Sequence, residues 1–240
     1  MTPPFDGRTG RGVRIAIIDS GVHPGHDHIR ADQIEPGVAI RRGGGIEGGQ
    51  DATLDRLGHG TAVTAAIQEK APDAFCLPIR VFHEGLKASA MALITAIAWA
   101  VEQRADIINL SLGSTNRAHA PAFTDVVERA CEAGVAIIAP DRIEEQPCYP
   151  GAISGVFAVG LDWDCPRGHF RLSQGGGRFL ASGYPRAIPG VPLRRNLYGI
   201  SFATAQLTGF AACALEGVDR DFTGFARIAA LKTALRANAA

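Results

Sequence analysis

Apolar residues along this chain fall into short continuous runs that alternate with longer stretches of helical spacing. Residues 13–18, Val13-Arg14-Ile15-Ala16-Ile17-Ile18, are mostly β-branched and lie between Gly12 and Asp19. Such a run predicts a buried parallel strand. Residues 77–82, 106–112, 135–139, 156–160 and 178–181 predict further strands. Helices are predicted over the Ala-rich stretch 59–69, over 87–104, over 121–132 between Pro121 and Gly134, over 202–215 and, as a closing surface helix, over 227–238. In the second of these, Met91, Ile94, Ile97, Ala98 and Val101 recur at helical spacing and are expected in the core. The mostly apolar stretch from Phe202 to Leu215 is long enough for a buried helix. The Gly-rich patch 43–49 predicts a surface loop. Alternating strands and helices specify an α/β fold, with a parallel sheet of about six or seven strands covered on both faces.

Charge and composition narrow the function classes. The 240 residues carry 24 basic and 24 acidic side chains. With no net charge and no basic face, nucleic acid is not an expected partner. No apolar run reaches membrane-spanning length, so no membrane partner is expected. Residues 1–12 are polar and lack the apolar core of a signal peptide. Five cysteines, widely spaced and without a C-x-x-C pair, argue against a zinc site or a disulfide framework and for a reduced, cytoplasmic chain. The length fits one domain, residues 1–240. His23, His26 and His28 fall in a turn made by Pro24 and Gly25 with no answering ligand cluster, so no metal or other cofactor is expected.

Three short stretches carry candidate chemistry. Asp19-Ser20-Gly21 closes the first strand, at the sheet edge where α/β proteins place their sites. His59, between Gly58 and Gly60, opens a helix. Ser201, after Gly199, opens the long apolar helix, where free N–H groups and the helix dipole favour an anion. Taken singly, each also reads as a turn, a cap or a structural residue.

Taken together, these stretches, with Asn109-Leu110-Ser111-Leu112-Gly113 between them, resemble the subtilisin-like serine proteases. The resemblance covers nearly the whole chain and rests on the order Asp, His, Ser. It implies a three-layer fold with a mainly parallel central sheet and helices on both faces. It implies Ser201 as nucleophile, His59 as general base and Asp19 as the group that orients the imidazole. Ser111, Leu112 and Gly113 match the edge that pairs with an extended peptide substrate. Gly85 and Leu86, more loosely aligned, match the opposite side. Cys148 falls at the deepest point of the wall around the residue before the cut, a wall completed by residues 139–142 and 149–151.

The departures from the family pattern are specific. The family's oxyanion Asn is replaced by Asp141 in Ala139-Pro140-Asp141. An ionised Asp141 opposes an oxyanion, and only a protonated one donates to it. The segment from Gly134 to Asp141 is about two residues shorter than the family pattern, which favours Asp141 turned away from the site. Arg142, next along, is expected to pair with Glu144 or Glu145. Only Gln68, Glu69, Lys70 and Ala71 stand where secreted relatives carry a calcium loop, and the stretch before residue 13 is too short for their propeptide. These features imply restricted processing of a peptide or protein in the cytoplasm, such as leader-peptide removal, with a precursor peptide or partner protein as the expected partner. The alternative is a catalytically degenerate relative that binds a peptide or partner. A nucleotide-binding domain lacks its G-x-G-x-x-G or P-loop here.

Overall fold

The computed structural model describes residues 4–49 and 51–240. Residues 1–3, the start of the polar N-terminal stretch, lie outside it, as does Gln50. Strand β1 (Arg14–Asp19) is central. It pairs in parallel with β4 (Phe75–Arg80) on one side and β5 (Ile107–Leu110) on the other. Beyond β5 come β6 (Ala136–Pro140), β9 (Phe157–Leu161) and β11 (Phe179–Ala181), all parallel. Beyond β4 comes β2 (Val38–Ile40), also parallel. This parallel core has seven strands, and antiparallel edge strands β3 (Ile46–Glu47) and β10 (Phe170–Leu172) extend it to nine.

Side-chain alternation along the strands sorts the helices into two layers. Ile15, Ile17, Ile107 and Ile138 face α1 (His59–Lys70), α4 (Ile200–Glu216) and α5 (Gly224–Ala237). Ala16, Ile18, Ile108, Leu110 and Ile137 face α2 (Ala90–Glu102) and α3 (Ala120–Glu132). From β1 the chain passes through β2, β3 and then α1 to reach β4, and it returns through α2 to β5 on the other side of β1. The connection therefore reverses direction across β1, and the carboxyl ends of β1 and β5 flank the crevice that such a reversal opens.

The predicted elements are present, and they differ in detail for local reasons. Helix α2 starts at Ala90 rather than 87, because the Ser89 hydroxyl accepts from the Ala92 N–H (3.1 Å) and caps it. Its buried face is Ala92, Leu93, Ala96, Ile97 and Ala100, so Met91, expected in the core, lies 56% exposed. The Gly-rich patch holds strand β3, an exposed hairpin arm pinned by Arg41 and Glu47 (2.6 Å). After β6 the chain forms a small hairpin, β7 (Arg142–Ile143) and β8 (Gln146–Pro147). Its two turn residues, Glu144 and Glu145, have φ of 47° and 64°, the geometry that suits Asn or Gly in a two-residue hairpin. Strands this short carry too little periodicity to be read from sequence.

Helix α4 runs through the middle of its layer, buried from Phe202 to Leu215 without interruption. Gly209 lets it lie against α1: a Cβ there would sit 2.7 Å from the Lys70 Cβ and 3.1 Å from the Ile67 carbonyl oxygen. Gly209→Val is expected to push the helices apart and lower stability by about 1–3 kcal/mol. The check is the midpoint of urea denaturation, and an unchanged midpoint would contradict this packing.

Candidate active site

Asp19 ends β1 with its side chain fully buried. Its Oδ1 accepts the Ser20 N–H at 2.8 Å and lies 2.7 Å from His59 Nδ1. Oδ2 is buried and has no hydrogen-bond partner among the described residues. His59 is the first residue of α1, and two devices hold that turn against β1. Asp55 accepts from the N–H groups of Leu57, Gly58 and Thr61 and from the Thr61 hydroxyl, at 2.6–2.9 Å. The Ser20 hydroxyl accepts from the Gly60 N–H at 2.8 Å. A Cβ on Gly60 would lie 2.2 Å from the Gly21 carbonyl oxygen, so only glycine permits this approach.

The His59 ring packs near Phe82 and Phe202, at centroid distances of 6.4 and 5.8 Å. Burial pulls its pKa down. The hydrogen bond and charge of Asp19, with the charge of Asp55, outweigh that and leave the pKa above the ordinary imidazole value.

Ser201 lies on the first turn of α4, where its N–H has no carbonyl four residues back within the helix. Its Oγ donates to the Ser111 carbonyl oxygen at 3.4 Å, and among the described residues it forms no hydrogen bond to His59. Catalytic hydrogen bonds are often long or misaligned without substrate, and rotation about χ1 redirects this hydroxyl. A buried polar chain holds the turn in place. Thr208 Oγ1 donates to Asn109 Oδ1 (2.9 Å), Asn109 Nδ2 to Ser111 Oγ (3.1 Å), and Ser111 Oγ to the Ser201 carbonyl oxygen (3.5 Å).

Ser111, Leu112 and Gly113 follow β5 and form one side of a groove of about 960 Å³. Gly85 and Leu86 form the other, and Ile143 of the β7–β8 hairpin also lines it. Cys148 is fully buried behind Gly113, where an added Cβ would come within 2.5 Å of its Sγ. Burial, with the nearby charge of Asp141, pushes the Cys148 thiol up to about 12, so it stays neutral.

Asp141 follows β6 with its side chain 17% exposed. Oδ1 lies 3.7 Å from Arg178 Nη1 and Oδ2 lies 4.0 Å from Arg142 Nε, distances of ion pairing rather than hydrogen bonding. Burial raises the Asp141 pKa, and Arg178 and Arg142 oppose the rise without cancelling it. Arg142 also reaches Glu145 at 3.5 Å, one of the two partners expected for it.

Asp55, Ser20, Asn109 and Thr208 have positioning roles that emerge from the fold. An Asp shortly before a Gly-His helix start is a capping signal that was available. Nothing in the spacing of Asn109 and Thr208 signals that they meet. Proton NMR of the His59 ring should show a pKa above about 6.5, and Asp19→Asn should lower it by removing both the charge and its pull on the ring. An unshifted pKa in the variant would contradict the electrostatics described.

Residues 10–160, more than half the chain, match the model of the subtilase family. The match ends before the Ser201 turn. The minor extracellular protease Epr of Bacillus subtilis (strain 168) is 31% identical over 165 residues, which are 64% of this chain and 24% of that protein. The major intracellular serine protease of the same strain is 30% identical over 171 residues, again 64% of this chain and 52% of that protein. The chain thus spans about a quarter and about half of these two relatives. A crystal structure of a lanthipeptide protease superposes with a TM-score of 0.64 at 20% identity, covering 89% of this chain and 74% of that one. The chain belongs to the subtilase family.

Proposed function

We propose that this protein is a serine endopeptidase that uses Asp19, His59 and Ser201 as its triad. The observation that carries this reading is the 2.7 Å contact between buried Asp19 and His59 beside the first turn of α4. His59 Nε2 takes the Ser201 proton as Oγ attacks the scissile carbonyl, and later delivers it to the leaving amine. Asp19 keeps the imidazole in the tautomer with Nδ1 protonated and stabilises the charged ring. The extended substrate lies in the groove between Ser111–Gly113 and Gly85–Leu86, with main-chain pairing along one wall.

The oxyanion is met by the Ser201 N–H at the positive end of α4. Asp141 is held toward Arg178 and Arg142 and supplies no donor in this reading. The chemistry is therefore slower than in a site with two side-chain or main-chain donors. A structural likeness to a lanthipeptide protease supports a restricted role, the processing of a peptide or protein precursor, for which a modest rate suffices. A cytoplasmic setting fits the five unpaired, buried cysteines and the relative named an intracellular protease.

The second reading, a degenerate subtilase that binds without cutting, draws on Asp141. A fluorophosphonate probe separates the two, because only an activated serine labels rapidly. Labelling of the wild type and none of Ser201→Ala is expected, with turnover on a peptide lowered on the order of 10⁶-fold in the variant. Absence of labelling in the folded wild type would reject the enzyme reading. Activity should rise with pH through a pKa above about 6.5, since neutral His59 is the working form and its pKa is raised in the fold. Asp141→Asn should leave turnover within about threefold. A gain of roughly 10²-fold, the scale of one donor, would mean that the Asp141 carboxylate sits in the oxyanion hole.

A further inference from the structure

The chain approaches Ser201 through residues 184–198, a strap with an unusual make-up. It contains Pro185, Pro189 and Pro192, three arginines, and neither Asp nor Glu. Ile188, Val191, Leu193, Leu197 and Tyr198 on it are between 38% and 60% exposed. Both ends are tied down next to the nucleophile. Gln206 of α4 donates to the Tyr184 carbonyl oxygen, and the Gly199 N–H donates to the Gly183 carbonyl oxygen, each at 2.9 Å. The strap is thus anchored, while its large apolar side chains face water, a combination that marks an interaction surface.

Two hollows flank it. One, of about 270 Å³, is walled by Trp163, Tyr184, Tyr198 and Arg194. Trp163 lies 5.1 Å from the Tyr184 ring and 6.0 Å from that of Tyr198, both inclined as in aromatic boxes. The whole chain has two Trp and three Tyr, so three of these five meet at one exposed spot. The other hollow, of about 320 Å³, is bordered by Leu197, His23, His26, His28, Arg56 and Arg186. Its own carboxylate, Asp55, is occupied in capping α1. Among the described residues, none of Arg56, Arg186, Arg194 and Arg195 is paired with a carboxylate. Burial, then the charges of Arg186 and His26, hold His28 below the ordinary imidazole pKa, against the smaller opposing charges of Asp27 and Glu69.

We propose that this strap binds the substrate segment that follows the scissile bond, and that it selects an aromatic residue together with acidic ones. The proposal rests on the endopeptidase reading, with residues before the cut in the Ser111–Gly113 groove. Neither hollow shares a lining residue with that groove. The strap enters Ser201 directly, so a chain leaving the nucleophile on the far side from the groove meets it first. The box suits a flat ring, which stacks on Trp and Tyr edges and on a guanidinium plane. Arg194 in its wall repels a cation. Uncompensated arginines attract carboxylates, most strongly at low salt. An anionic membrane surface shares this chemistry, but the box is concave and is walled by Tyr198, three residues before Ser201, which suits a side chain better than a bilayer.

The wild-type protein is incubated with a peptide library digested from a whole proteome, and the cut sites are read by mass spectrometry. Aromatic residues should be enriched about 2- to 10-fold within the first four positions after the cut. Asp and Glu should be enriched there too, less so in 0.5 M salt, where screening shortens to about 4 Å. Trp163→Ala or Tyr198→Ala should remove the aromatic preference. Arg194→Glu with Arg195→Glu should weaken the acidic preference, and adding Arg56→Glu and Arg186→Glu should abolish it. Cleavage that is indifferent to residues after the cut would overturn the inference and leave the endopeptidase reading standing. Absence of cleavage would overturn that reading instead. Strap binding is then judged on the Ser201→Ala variant by tryptophan fluorescence. A peptide ending in Phe-Asp-Glu should change the signal and one ending in Gly-Ser-Gly should not, while equal responses would overturn it. Sedimentation with phosphatidylglycerol vesicles, lost on Arg194→Glu with Arg195→Glu, would reassign the strap to a membrane and likewise overturn it.

Discussion

A helix buried on every side leaves water no role in satisfying its polar groups, and α4 is such a helix from Phe202 to Leu215. Each polar side chain on it must find a partner inside the fold. Thr204 bonds back to the Ile200 carbonyl oxygen at 3.0 Å, and Thr208 reaches Asn109 on β5. Gln206 holds the strap through Nε2, while its Oε1 has no partner among the described residues. Much of the architecture answers to this one element. The sheet, α1 and α5 supply its apolar walls, and Gly209 sets how closely α1 approaches. The same constraint fixes Ser201, because a helix that cannot shift holds its first turn at a constant place above β5.

A second constraint acts on the other side of the crevice. A buried carboxylate is costly unless hydrogen bonds or an opposite charge compensate it. Asp19 is held by the Ser20 N–H and by His59, and it in turn makes the imidazole more basic than burial alone would leave it. The pairing depends on backbone approaching backbone. Gly60 lies against the Gly21 carbonyl oxygen, and Asp55 ties down the N–H groups before and within the first turn of α1. Two helices therefore start at one crevice, each placed by groups that do no chemistry themselves. One tie runs through the buried chain Thr208–Asn109–Ser111, the other through Asp55 and Ser20.

Asp141 stands where the family resemblance leads one to expect an Asn, and charged neighbours surround it. The β7–β8 hairpin that follows carries Arg142, and Arg178 arrives just before β11, so two guanidiniums face a half-buried carboxyl. Neither is close enough for a hydrogen bond, and burial keeps the pKa raised. The local charge is balanced without a donor being aimed at the crevice. The hairpin also brings Ile143 to the groove, so the segment after Asp141 contributes to the wall.

Much of this was legible in the sequence. The β-branched run 13–18 reads as a buried strand, and the mostly apolar stretch after Ser201 reads as a buried helix, because period and composition are local properties of the chain. The order of Asp19, His59 and Ser201, each at an element boundary, was likewise visible, and so were the Ser111–Gly113 edge and the change at Asp141. Helix faces were less secure: Met91 keeps helical spacing with Ile94 and Ile97 yet is largely exposed, since the buried face of α2 is centred on Ala92, Leu93, Ala96, Ile97 and Ala100. What the sequence could not hold was the meeting of residues far apart along it. The pairing of Asn109 with Thr208, the turn of Asp141 toward Arg178, and the gathering of Trp163, Tyr184 and Tyr198 into one exposed box are products of topology. Periodicity determines which side of an element is apolar, whereas only the packed sheet and its central helix decide which polar groups and rings end up within reach of one another.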